Sequence, residues 1–236
     1  MAISFTAKTL SFLRSLKRNN KREWFHARRD QYDAHVRALM HAIVEQLAVD
    51  LRSCAPELIA DPKVSLFRPF RDTRFSEDKT PLKTHVAATF PNRRLGRLNG
   101  ASFYLEVGPT YVWLGGGLYA PDSSQLYSVR EHIAKHYRQL DKIVRSPDFK
   151  ALGGLQGEKL KGVPRGFDKE HKAATYLRHR QFLIFREEPA AFATSKDFYK
   201  NLLSTIKTTA PLMRFLNEPL IAAQSVSRKA HILDEE

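Results

Sequence analysis

The sequence predicts an α+β fold, an antiparallel sheet flanked by N-terminal and later helices. Three observations carry this. Apolar residues recur at helical spacing over the first fifty residues, short runs rich in aromatic and branched residues fill 85–114, and helical spacing returns after 123. Keeping the two periodicities apart along the chain argues against a doubly wound parallel sheet, where they would alternate.

Each element has its own warrant. Thr6 is placed to cap a first helix over 6–18, in which Leu10, Leu13 and Leu16 stand three apart. Asn19-Asn20 marks a turn, and Lys21-Arg22-Glu23-Trp24-Phe25 opens a second helical stretch. Tyr32, Val36, Leu39, Ile43, Leu47 and Leu51 keep three- and four-residue steps, so a long amphipathic helix is expected over 30–52, closed by Pro56 and Asp61-Pro62. Residues 63–67 alternate weakly and read as extended; strands are expected at 85–90, 102–107 and 111–114, the last pair joined by Gly108-Pro109-Thr110. Gly115-Gly116-Gly117 is expected to break the sheet. A helix over 123–145 follows, with Leu126, Val129, Ile133, Tyr137, Leu140 and Val144 on one face. Residues 147–167 are glycine-rich and read as loop around one short strand. A helix at 169–178, a strand at 181–185 and a last helix at 196–209 complete the pattern.

The chain has 236 residues with 39 Lys+Arg against 25 Asp+Glu, a formal charge of +14, and it is 42% hydrophobic. That composition is globular, and the length accommodates one large domain, expected over 1–222 with a polar, frayed tail over 223–236. One cysteine, Cys54, excludes an internal disulfide framework and any multi-cysteine zinc or iron–sulfur site. Lys8 and Arg14 interrupt the only apolar run near the N-terminus, and no stretch approaches the ~18 apolar residues of a spanning helix. No signal peptide and no transmembrane segment are therefore expected, and with a lone thiol a cytoplasmic location is. The basic excess speaks of partners and not of fold: polyanions, phosphorylated small molecules or an anionic membrane surface.

Chemistry concentrates in residues 68–84, RPFRDTRFSEDKTPLKT. Arg68, Arg71 and Arg74 stand three apart, Lys79 and Lys83 follow, and Asp72, Glu77 and Asp78 are interspersed. Guanidinium forks match phosphate and carboxylate oxygens, lysines add point charges, and Thr73, Ser76, Thr80 and Thr84 add hydroxyl donors. Asp72, between two arginines, is suited to pairing one guanidinium so that another reaches a ligand. A solvated loop with internal ion pairs fits the same spacing. No P-loop is present, because the spaced glycines before Lys-Ser/Thr are missing.

RDTRFSEDKTPLKT, with LKRNNKREWF upstream, GGGLYAP at 115–121 and VPRGF at 163–167, resembles a bacterial and fungal family of conserved proteins of unknown function. The resemblance spans residues 12–185, with the motifs in order. Leu82 stands where the family usually carries tyrosine. The resemblance implies no mechanism; it marks the RDTRF–DKTP segment as a site.

Other candidates carry less. Gly115-Gly116-Gly117 offers backbone N–H groups to an anion or merely relieves a tight passage, and Tyr119 and Pro121 beside it wall a pocket or pack. Arg130 lies at the border of the Ile133 stripe, its head directed to a cleft or to water. His132 and His136, one turn apart, lack a carboxylate third ligand, so a metal site is not expected. Cys54 reads as a small buried hydrophobe, no Gly-x-Ser-x-Gly elbow occurs, and Asp72 with Glu77 or Asp78 is an acid/base pair only if geometry makes it one. Arg14, Lys17, Arg18, Lys21, Arg22, Arg28 and Arg29 surround Trp24 and Phe25, which suits single-stranded nucleic acid or an apolar anchor on a solvated face.

The expected function is binding of an anionic, phosphate- or carboxylate-bearing small molecule by Arg68, Arg71, Asp72, Arg74, Lys79 and Lys83, joined by Tyr119 and Arg130, with turnover left open and no cofactor or metal. The alternative is a nucleic-acid-binding protein using a broad basic surface; a partner-binding role with a purely structural arginine loop is a third.

Overall fold

The computed structural model describes residues 3–74, 76–97 and 99–233, with side chains described through Ser225. Its four-stranded antiparallel sheet has the order β1-β2-β3-β4: β1 (Val86–Phe90), β2 (Ser102–Val107), β3 (Tyr111–Leu118) and β4 (Phe182–Pro189). Helices precede and follow it, so the chain is α+β. No helix among the described residues is long and apolar enough to cross a membrane.

The chain divides into two compact units. The first comprises Met1–Phe90, Tyr104–Leu114 and Arg186–Thr205. It opens with α1 (Ala7–Arg18), capped by an extended Thr6 whose backbone N–H donates to Thr9 Oγ1 at 3.2 Å. After the short α2 (Arg22–His26) the expected long helix is α3 (Arg29–Tyr32), a π-helical turn (Asp33–Arg37) and α4 (Ala38–Cys54). Leu13, Leu16, Val36, Met40, Ile43, Val44 and Leu47 are fully buried, as their spacing requires. Phe25 is buried against Tyr32 and Phe70, at ring distances of 5.1 and 5.8 Å. The apolar-anchor reading of Phe25 is the one realised, while the half-buried Trp24 carries Arg28 4.7 Å above its ring.

Residues 63–67 do not form the expected strand. Asp61 accepts the Lys63 N–H at 2.8 Å and Pro62 occupies the first turn of α5 (Pro62–Ser65), so cap and proline outweigh the weak alternation. Pairing begins only at Leu66, which bridges Ala88.

The second unit comprises Pro91–Phe103, Gly115–Phe185 and Ile206–Glu236. In it α6 (Ser123–Val144) is capped by Asp122, which accepts the Gln125 N–H at 2.8 Å, and it buries Val129, Ile133, Leu140 and Val144. Phe182 and Ile184 of β4 are buried. The glycine triplet does not end the sheet: β3 runs through it to Leu118. A Cβ on Gly115 would stand 2.2 Å from the Ile184 carbonyl oxygen, so the missing side chain is what lets β4 approach. Residues 147–151, read as loop, form α7 (Pro147–Ala151), and the helix expected at 169–178 shrinks to α8 (Ala174–Leu177). Asp168 and His171 instead accept the N–H groups of Glu170 and Ala173, both at 3.0 Å, holding that stretch in turns. The last helix, α9 (Phe198–Leu233), does not stop at 209. Buried Leu212, Met213, Phe215, Leu216 and Leu220 carry it past Pro211 and Pro219, against the cost of two missing N–H donors. Backbone helix thus covers most of the segment expected to fray, whose residues 234–236 lie outside the described ones.

Candidate functional site

Residues 66–88 fold back on themselves. Leu66 bridges Ala88 and Phe70 bridges Leu82, while Arg71 N–H donates to the Pro81 carbonyl at 3.0 Å and Lys83 N–H to the Pro69 carbonyl at 2.7 Å. Pro69 and Pro81 supply acceptors here and withhold no donor the pairing needs. Asn20 fixes the base of this hairpin: its Nδ2 donates to the Leu82 carbonyl at 2.9 Å and its Oδ1 accepts the Leu82 N–H at 3.0 Å.

Within the tip the cations turn to separate partners. Arg71 Nη1 donates to Asp78 and, at 2.9 Å, to Thr80 Oγ1. Arg74 grips Asp72 with both arms of its fork, Nε to Oδ1 at 3.0 Å and Nη2 to Oδ2 at 2.7 Å. Lys79 Nζ donates to the Thr73 carbonyl at 3.0 Å, and Lys83 Nζ lies 4.8 Å above the Phe67 ring. The Arg74 fork lowers the Asp72 carboxyl to about 2. Hydrogen bonds from Thr80, more than Arg71, lower that of Asp78. Arg71, Arg74 and Lys79 thus turn to Asp78 with Thr80, to Asp72 and to the Thr73 carbonyl in turn. Tyr119 and Arg130 belong to the second unit. Tyr119 is exposed; Arg130 is buried, its Nε donating to the Leu177 carbonyl at 2.9 Å and its Nη2 to that of His179 at 3.0 Å.

Arg68 stands apart from these pairings. It lines a cleft of about 370 Å³ together with Arg29, Arg37 and Lys63 and the rings of Tyr32, Phe67 and Phe70. Arg29 Nε donates to Asp33 Oδ2 at 2.9 Å, and Arg37 Nη1 lies 3.7 Å from Asp33 Oδ1, so one carboxylate serves two guanidiniums. Among the described residues, Lys63 and Arg68 make no side-chain hydrogen bond or ion pair. Burial pushes the Tyr32 phenol up to about 12, so it remains a hydrogen-bond donor at neutral pH. The π turn at Asp33–Arg37 sits where these helical residues meet the cleft, as such turns often do at binding sites. Arg37 escapes a reading by sequence because helical spacing makes it one more solvated residue; only the fold brings it to Arg68.

A second cluster lies on β2 and β3. The buried Glu106 accepts from Tyr104 through Oε2 and from the Tyr111 phenol through Oε1 at 2.5 Å, and His85 Nδ1 stands 3.2 Å from Oε1. Burial, reinforced by Glu106, pushes the Tyr111 phenol far up. Burial pulls His85 down against the opposing pull of Glu106, with Lys83 and Arg71 adding to the lowering. In the sequence its signal is one acid, Glu106, within the apolar and aromatic run FYLEV.

The His132 and His136 rings lie 4.6 Å apart at a tilt of 40°, with Glu218 3.6 Å from His132 Nε2, yet no group of three or more metal-ligating side chains is assembled among the described residues. A hollow of about 480 Å³ beside His136 is lined by five consecutive residues of α6 and Lys172; a single stretch of helix and one further residue make a shallow surface, not a convergent site.

A family model described as a conserved hypothetical protein (DUF2461) matches residues 8–215. No curated protein and no solved structure matches the chain.

Proposed function

The chain belongs to this conserved hypothetical family, and we propose that it binds an anionic, phosphate- or carboxylate-bearing small molecule in the cleft beside Arg68. The observation that carries the reading is the charge imbalance there: Arg29, Arg37, Lys63 and Arg68 line one cleft, and among the described residues Asp33 is the one carboxylate in an ion pair with any of them. A guanidinium without an acid partner is a strong, directional donor to oxyanions, and a lysine adds charge without demanding geometry. The volume suits a small molecule, within the usual ~300–1,000 Å³ of such sites. In this reading Arg71, Arg74, Asp72, Lys79 and Lys83 hold the hairpin whose base presents Arg68. A reducing cytoplasmic setting accords with the single thiol of Cys54.

The alternative, a broad nucleic-acid surface, draws on the +14 charge. Burial of Phe25 removes one of the two rings it would stack on, which favours the small ligand.

Thermal unfolding of the full chain with inorganic pyrophosphate, and separately citrate, tests the proposal. At ten times Kd, linkage adds about 1.4 kcal/mol, a rise in Tm of about 3–6 °C for a chain of this size. Lys63→Ala with Arg68→Ala should abolish the rise while Arg74→Ala keeps it. Equal responses in all three proteins overturn the cleft. An oligonucleotide that binds with a steep salt dependence, unaffected by the double substitution, supports the alternative.

A further inference from the structure

The Glu106 cluster is built differently from a structural polar network. Tyr104 and Tyr111 already donate to both carboxylate oxygens, so Glu106 is satisfied without His85. Among the described residues no lysine or arginine pairs with this buried carboxylate, which makes it costly to hold ionised and leaves the imidazole as its one cationic partner there when protonated. The His85 side chain is 25% exposed. Its Nδ1 stands 3.2 Å from Glu106 Oε1, an ion-pair contact. Its Nε2 makes no hydrogen bond among the described residues and is not left buried without a partner.

We infer that His85 is a general base: Glu106 holds Nδ1 protonated, and Nε2 accepts a proton from a water or from a hydroxyl group of an anionic ligand on the solvent side of the cluster. The step balances simply. The O–H bond breaks, its electron pair stays on oxygen, and an N–H bond forms at Nε2. The resulting imidazolium is paired through Nδ1–H to Glu106, which does not itself take the proton. Solvent then takes the proton from Nε2 and restores the neutral ring. Lys83 and Arg71 are the other charged groups acting on His85, and they suit a ligand with negative charge. They also favour the neutral ring, the state a base needs at neutral pH. Tyr104 and Tyr111 are positioning residues for Glu106, as Glu106 is for His85. None of this depends on the cleft beside Arg68.

Imidazole ¹H–¹⁵N correlation spectra of the ¹⁵N-labelled full chain, titrated from pH 5 to 8, read the tautomer directly. His85 should be neutral at pH 7 with the proton on Nδ1. Diethyl pyrocarbonate, mapped by peptide mass, should acylate His85, with the rate falling by more than about tenfold in Glu106→Gln as the ring loses its orienting partner. Tyr111→Phe should keep the tautomer and slow acylation less. It also decides the matter, with wild type, if Glu106→Gln does not fold. A proton on Nε2, an imidazolium at pH 7, or a wild-type His85 that resists acylation overturns the inference. The tautomer should be unchanged in Lys63→Ala with Arg68→Ala, so failure of the anion cleft and failure of the base are read separately.

Discussion

Asn20 pairs with the backbone of Leu82 in both directions, across 62 residues of sequence, Nδ2 to O at 2.9 Å and N to Oδ1 at 3.0 Å. A side-chain amide here does what a neighbouring strand would do, tying the turn after α1 to the base of the arginine hairpin. Because Leu82 is buried, its backbone groups have no water to fall back on.

Asn20→Ala should therefore cost about 2–3 kcal/mol in urea unfolding, the penalty for a buried donor and acceptor left unmet. Asn20→Asp should be no better, since it can accept from the Leu82 N–H but sets a carboxylate against the carbonyl. Both variants should be nicked faster by trypsin after Arg71, Arg74 or Lys79. Wild-type stability and wild-type nicking in Asn20→Ala would show that the hairpin stands without this clamp.

Two arginines offer opposite expectations from similar-looking contacts. Arg74 meets Asp72 in the open, where solvent competes for both, and Arg74→Ala should leave the urea midpoint unchanged. Arg130→Met strands the buried carbonyls of Leu177 and His179, at a cost of about 2–4 kcal/mol. Arg130→Lys should recover only part, because an ammonium cannot span both acceptors with a planar fork.

How much of this was legible beforehand follows from the range of each signal. The helices with apolar spacing and the four strands of the sheet follow from signals that lie within one element. Leu10, Leu13 and Leu16 need no knowledge of their neighbours to predict a buried stripe. Misreadings arise where a local signal meets a tertiary one. The glycine triplet looks like a break until β4 lies against it, and Pro211 looks like a stop until Met213 and Phe215 are seen to be buried. For the site, the density of arginines points to 68–84, but which arginine pairs with an acid depends on loop conformation. Glu106 and His85 are 21 positions apart, each unremarkable in its own run; only strand pairing unites them.

His179 makes native stability depend on pH. It is buried, its Nδ1 3.0 Å from the Gln181 carbonyl, and burial lowers its pKa from 6.5 to about 4. Between those values the unfolded chain binds a proton that the native chain does not. Stability is therefore full above pH 6.5 and declines as pH falls toward 4, by on the order of 3 kcal/mol. Urea midpoints at pH 7.5 and 4.5 should differ accordingly. His179→Asn, which keeps a donor near the Gln181 carbonyl, should flatten part of the slope, with His85 and His132, also lowered by burial, supplying the remainder. A slope identical in the variant would assign the acid sensitivity elsewhere.

The glycine triplet permits a graded test of how β3 meets its surroundings. At Gly115 an added Cβ would meet the Ile184 carbonyl oxygen at 2.2 Å and Phe185 backbone at 2.4 Å. At Gly117 it would meet the Phe182 carbonyl oxygen at 2.0 Å, and φ of +139° is itself strained for any side chain. Both obstacles are backbone of β4, which cannot yield without opening the pairing. Gly116 differs: its nearest neighbour is Met213 Sδ at 2.8 Å, near the far end of an adaptable side chain, with the Ser102 carbonyl oxygen farther off at 3.3 Å. Gly116→Ala should thus cost about 1–2 kcal/mol as Met213 changes rotamer. Gly115→Ala and Gly117→Ala should exceed that clearly in urea unfolding, or leave the chain insoluble. If all three substitutions cost the same, the glycines serve chain flexibility and not the close approach of β4.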